Sequence, residues 1–124
     1  MKLRPAYLIA VCLSHVLISP ATAQVEAGLQ AISALAQING QALACQEPQA
    51  AARAKALMLR HAPKTARFGA VFDDGTHEAY LVQIRSNTPC PNEATLSLQL
   101  TALALKLQAS LPVAPVPTSS TTAP

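Results

Sequence analysis

The chain has 124 residues, of which 51% are hydrophobic, 12% charged and only 3% aromatic. That length allows one small domain, and the hydrophobic share excludes a highly charged disordered polypeptide. The formal charge of +3 falls to seven basic against six acidic residues once Lys2 and Arg4 are set aside with the N-terminal segment, an excess too small for a general nucleic-acid binder, which needs a basic stripe to displace counterions from phosphates.

Residues 1–23 have the three-part layout of a secretory signal peptide. A basic start (Lys2, Arg4) precedes the apolar run Ala6–Ile18, and Pro20 stands just before the small-x-small site Ala21-Thr22-Ala23. The run is about 13 residues long, short of the ~20 that span a bilayer as a helix, and Pro20 is expected to break it. Cleavage is expected before Gln24. Cys12 lies in the middle of the run, away from the place a lipidated cysteine takes, so the expected product is periplasmic or secreted and has no transmembrane segment after cleavage.

The domain that follows is expected over residues 24–111 and keeps two cysteines, Cys45 and Cys90. In an oxidising compartment such a pair forms one bridge. No C-x-x-C spacing and no neighbouring His suggests a reactive or metal-bound thiol.

From Gln24 to Cys45, Val25, Leu29, Ile32, Ala36, Gly40 and Leu43 recur every three or four residues, with Glu26, Gln30, Ser33, Gln37 and Gln41 opposite. That spacing predicts an amphipathic helix in which Ala36 and Gly40 let a neighbouring backbone come close. After Glu47-Pro48, the Ala- and Leu-rich run Gln49–His61 predicts a second helix with Pro48 at its first position, and Pro63 ends it. Residues 53–67 hold Arg53, Lys55, Arg60, Lys64 and Arg67 without a carboxylate, a basic patch suited to an anionic partner or to complementation by Asp73, Asp74 and Glu78 downstream.

Residues 67–85 admit two readings. As a helix, Phe68, Val71, Phe72, Gly75, Ala79 and Val82 share one stripe. As a hairpin, Asp74-Gly75 is a turn pair between alternating strands. The helix is preferred because a lone two-stranded hairpin is marginal and no other segment offers a third strand. The fold class expected is therefore all-α, a small antiparallel bundle of three to four helices with one disulfide, the alternative being α+β with a hairpin at about 67–85.

A connector around Cys90 leads to Asn92, a natural N-cap, and a helix running to about Leu111. Leu96, Leu100, Leu103, Leu107 and Leu111 form one ridge; Leu98, Ala102, Leu105 and Ala109 form a second, nearly opposite. A helix apolar on two sides is either sealed inside the monomer by its neighbours or covered by another molecule. Leu98 and Leu105 are accordingly a candidate partner face, with a homodimer among the candidates. Residues 112–124, with four prolines and no charge, are expected to form a disordered tail.

No H-E-x-x-H, G-x-S-x-G or Gly-rich phosphate loop is present, and no cofactor or metal site is expected. Asp73 and His77, four apart on a helix, supply two metal ligands at most, too few for a closed zinc site. The plan of a small exported helical domain with one long-range disulfide is similar in outline to that of periplasmic acid-stress chaperones, which implies a holdase as an alternative function. The leading expectation is a non-enzymatic exported binding or interaction protein; a third reading is a small hydrolase or metal-dependent enzyme built on Asp73 and His77.

Overall fold

The computed structural model describes residues 19–113, which form four helices: α1 (Pro20–Ala44), α2 (Pro48–His61), α3 (Ala66–Arg85) and α4 (Glu93–Ser110). The expectations for residues 1–18 and 114–124, most of the signal peptide and of the tail, lie outside the described residues. The helical reading of 67–85 holds, and the alternative hairpin is replaced by the continuous helix α3.

Helix α1 starts four residues earlier than the periodicity indicates. Pro20 takes the first helical position after Ser19, whose backbone is extended. A proline at that place forfeits nothing, because the first-turn N–H groups have no intrahelical acceptor. Residues 20–27 are all exposed, and burial begins at Gly28.

Consecutive helices run antiparallel, and α1 lies at the centre with α2, α3 and α4 each packed on it. Gln24 near the start of α1 reaches the Ser110 carbonyl at the end of α4, at 3.4 Å. Helices α1 and α3 make the most extensive contact in the molecule and run parallel to one another: Arg67 meets Glu26 at their beginnings, at 3.6 Å, and Asn39 meets Thr76 further along, at 3.1 Å. Helix α2 packs also on α4, whereas α3 rests almost entirely on α1.

Small residues set the α1–α3 distance. A Cβ on Gly40 would sit 2.6 Å from the Ala79 Cβ and 2.7 Å from the Tyr80 amide nitrogen, and would also meet the Thr76 carbonyl oxygen. A Cβ on Gly75 would come within 2.9 Å of the Ala36 Cβ. The close backbone approach expected at Ala36 and Gly40 is thus provided by α3. Gly75, the turn residue of the hairpin reading, serves instead as the opposing small residue.

The core runs along α1 as a broad band. Leu29, Ile32, Ala36 and Gly40 are buried as the single-stripe reading requires, and Ala31, Leu35, Ile38, Asn39 and Ala42 are buried as well. Three neighbouring helices surround α1, so its buried arc is much wider than one amphipathic stripe. The stripe's two ends are a correction: Val25 and Leu43 are exposed, lining open clefts between α1 and its neighbours instead of packing into the core. Val82 of α3 is a second correction. It is 60% exposed while polar Gln83 is buried, because the last turn of α3 faces the connector: Gln83 Nε2 donates to the Thr88 carbonyl at 3.0 Å and approaches Cys90 Sγ at 3.9 Å.

Cys45 and Cys90 are joined, with their Cα atoms 5.6 Å apart, and clamp the end of α1 to the segment leading into α4. The turn before α2 is a Schellman motif in which the Glu47 amide donates to the Ala42 carbonyl at 2.8 Å and the Gln46 amide to that of Leu43 at 3.3 Å. Gln46 takes the left-handed position with φ 59°, where glycine is the usual occupant. Asn92 caps α4 as its sequence position indicates, its Oδ1 accepting from the Thr95 amide at 2.9 Å.

Candidate functional site

Helix α4 buries Leu96, Leu100, Leu103 and Leu107 against the body of the protein. At 100° per residue, Leu98, Ala102, Leu105 and Ala109 fall within about 60° of one another on the opposite side. All four are exposed, Leu98 by 74% and Leu105 by 72%. Ala94 extends the ridge by one turn and is exposed too. Among the described residues no neighbouring segment seals this ridge inside the monomer. The helix central to the bundle is α1, so α4 lies at its edge with one side covered.

The basic segment does not stay together. Arg53 leans from α2 onto α4: its Nη1 donates to the Ser97 Oγ at 3.0 Å and to the Ser97 carbonyl at 3.3 Å, and its Nη2 donates to the Thr101 Oγ1 at 3.0 Å. Arg60 follows seven residues later on the same flank of α2, two turns along. Lys55 lies on the other flank of α2, beside α3. Lys64 Nζ donates to the Leu59 carbonyl at 2.7 Å, near the end of α2. Arg67 pairs with Glu26. The complement expected from Asp73, Asp74 and Glu78 is not formed; the ion pair among the described residues is to Glu26, and neutral oxygens hold Arg53 and Lys64.

Two features that are separate in the sequence thus meet in space. Arg53 of the basic segment is bonded to Ser97 and Thr101, which border the ridge of Leu98 and Leu105. Lys106 stands on the other border of the ridge, beside Gln99, where α4 faces Gln37 and Gln41 of α1. Lys106 carries no motif that marks it beforehand, and only the placement of α4 makes it part of this surface. The result is a narrow apolar ridge with a guanidinium on one side and an ammonium on the other.

Asp73 and His77 line a shallow cleft of about 320 Å³ between α1, α2 and α3, with Lys55, Thr76 and Tyr80 among their neighbours. Both are exposed, and among the described residues no group of three or more His, Cys, Asp or Glu side chains comes together. The cleft is open, so it does not enclose the carboxylate and imidazole as a site that orients an acid/base pair would. On the far side of α1, Ser33, Gln37 and Gln41 floor a polar trough between α3 and α4, a surface rich in amides but without a buried charge. Among the described residues no helix is long and apolar enough to cross a membrane.

Comparison with models of protein families, with curated proteins and with solved structures finds no match for this chain.

Proposed function

We propose that this protein is an exported binding protein without catalytic activity, and that it docks a partner on the outer ridge of α4. The observation that carries the reading is the exposure of Leu98 and Leu105, one above the other on a side of α4 that no part of the described chain covers. Burying a leucine side chain is worth about 1.5–3 kcal/mol, so two adjacent exposed ones make a natural anchor for a second molecule. The cationic borders formed by Arg53 and Lys106 give that anchor a preferred electrostatic setting.

Export is supported by two observations. The core begins at Gly28 and the described residues before Gln24, 19–23, are exposed, so cleavage there leaves the buried band of α1 whole. The Cys45–Cys90 bridge belongs to an oxidising compartment, such as the periplasm or the extracellular space.

The test is a native mass spectrum of the protein recovered from the extracytoplasmic fraction, alongside the variant Leu98→Lys/Leu105→Lys. The reading expects a chain that begins at Gln24, an intact disulfide and a bound partner that the ridge variant loses while its circular dichroism spectrum is unchanged. A partner retained by the ridge variant refutes α4 as the docking surface, and an uncleaved protein confined to the cytoplasm refutes export. A holdase would use the same ridge, and is separated by its targets: it suppresses aggregation of several unrelated unfolded proteins, whereas a dedicated binding protein does not.

A further inference from the structure

We infer that the occupant of the α4 ridge is a single amphipathic α-helix of another protein, carrying carboxylates on both flanks of its own apolar stripe. The inference rests on the docking role proposed for α4 and names the chemistry of what docks there.

The shape of the ridge selects a helix. Leu98, Ala102, Leu105 and Ala109 are spaced by four, three and four residues, the spacing of a two-helix seam in which side chains of one helix insert between those of the other. Alternation of Leu with Ala leaves a notch beside each leucine into which a partner side chain fits. Polar residues begin immediately on either side, Ser97, Thr101 and Gln108 toward α2, and Thr95, Gln99 and Lys106 away from it. A surface that narrow does not match a lipid bilayer. Helices that lie in the membrane interface present a broad apolar face with large residues such as Trp, Phe and Leu, and here half of the seam is alanine and no aromatic stands on α4.

The charge of the surface selects acidic flanks. Arg53 lies on the α2 side of the ridge, with Arg60 two turns further along the same flank of α2, and Lys106 stands on the other side. Across α2 and α4 the single carboxylate is Glu93, in the first turn of α4. Arg53 is oriented by hydroxyl and carbonyl oxygens, which position its guanidinium without neutralising it. A second copy docking through this same face brings three more cations against one more carboxylate, Glu93, so like charges predominate across the seam. A helix with Glu or Asp flanking its stripe places opposite charges against both borders at once, which sets partner choice and orientation at such seams.

The area is modest. An 18-residue helix is about 27 Å long and ~10 Å across with its side chains, a footprint well below the ~800 Å² per partner of a standard stable interface. The complex expected is reversible, with charge contributing a visible share of its affinity.

The experiment uses the oxidised full chain and two synthetic three-heptad helical peptides with an identical Leu/Ala stripe, one with Glu and one with Lys at the flanking positions. Binding is followed by fluorescence anisotropy at low and high salt. The acidic peptide is expected to bind at least ten-fold more tightly than the basic one, to weaken several-fold as NaCl rises through the physiological range, and to lose binding to Leu98→Lys/Leu105→Lys. Lys106→Glu, at an exposed position outside the core, is expected to weaken the acidic peptide several-fold and to strengthen the basic one. Equal affinity for the two peptides, or no binding of the acidic one, overturns the inference.

Two parallel measurements identify what is wrong in that case. Ridge-dependent self-association in sedimentation equilibrium makes the occupant a second copy, and ridge-dependent binding to vesicles of phosphatidylglycerol makes it a lipid surface. Either result overturns the acidic helix while leaving α4 as the docking surface. If peptide, self-association and vesicle measurements all ignore the ridge substitutions, the proposed docking role fails with it.

Discussion

Helices α1 and α4 both carry apolar residues on more than one side, and they end differently. In α1 the additional side, with Leu35, Ile38 and Ala42, is covered by its neighbours. In α4 the second ridge is left exposed by the described residues. The difference lies in position within the bundle rather than in composition. Helix α1 touches all three others, while α4 touches α1 and α2 and turns its back to the outside. Apolar residues on two sides of a helix therefore mean one thing at the centre of a fold and another at its edge: core in the first case, a candidate interface in the second.

The comparison can be broken at the staple, at the seam or at the ridges. Replacing Cys45 and Cys90 by Ser should cost the most, about 4 kcal/mol, since the bridge closes a sequence separation of 45 residues in the unfolded chain; urea unfolding of the oxidised protein and the double variant measures it. Leu35→Ala, which empties a fully buried position on the covered side of α1, should lose about 3 kcal/mol in the same assay. Gly40→Ala should lose about 2 kcal/mol by pushing α3 away from α1, a change visible as a lower thermal midpoint; a neutral result would show that the seam adjusts freely.

Two smaller effects sharpen the contrast. Gln46→Gly should stabilise by about 0.5–1 kcal/mol, because glycine adopts the left-handed conformation of the Schellman turn without steric cost; a rise in the urea midpoint tests it. Leu105→Ala, on the bare ridge, should change the stability of the isolated protein by less than about 0.5 kcal/mol. A loss there comparable with that of Leu35→Ala would mean that the ridge is covered within the molecule and that α4 resembles α1 after all.

Much of the fold was legible because its signals are local. Pro48, Pro63 and Asn92 mark helix limits through backbone constraints that act within a few residues, and the structure places α2 and α4 accordingly. The two cysteines of the domain left one pairing to form. The preference for a helix over residues 67–85 rested on the absence of a third strand, and α3 is continuous there. Where the structure differs, at Val25, Leu43 and Val82, periodicity identifies side chains that share a face without showing which of them a neighbouring helix covers.

The candidate site was legible only in pieces. Leu98 and Leu105 stand out by spacing, and the cations of residues 53–67 by composition, but these are different helices. Their meeting depends on Arg53 reaching Ser97 and Thr101, forty-four and forty-eight residues away. Lys106 gives no advance signal at all, since a single lysine on a helix is ordinary until its setting is known.

The sequence by itself determined the limits of α2, the start of α4 and which cysteines of the domain join, and it favoured a helix over 67–85, because propensity, capping, proline geometry and a single cysteine pair act without knowledge of the rest of the chain. The tertiary structure decided that α1 is the centre, that Gly40 and Gly75 let α3 lie parallel against it, and that the second ridge of α4 faces outward between Arg53 and Lys106. Those outcomes depend on which surfaces find neighbours, and burial belongs to the assembled helices together rather than to any one of them.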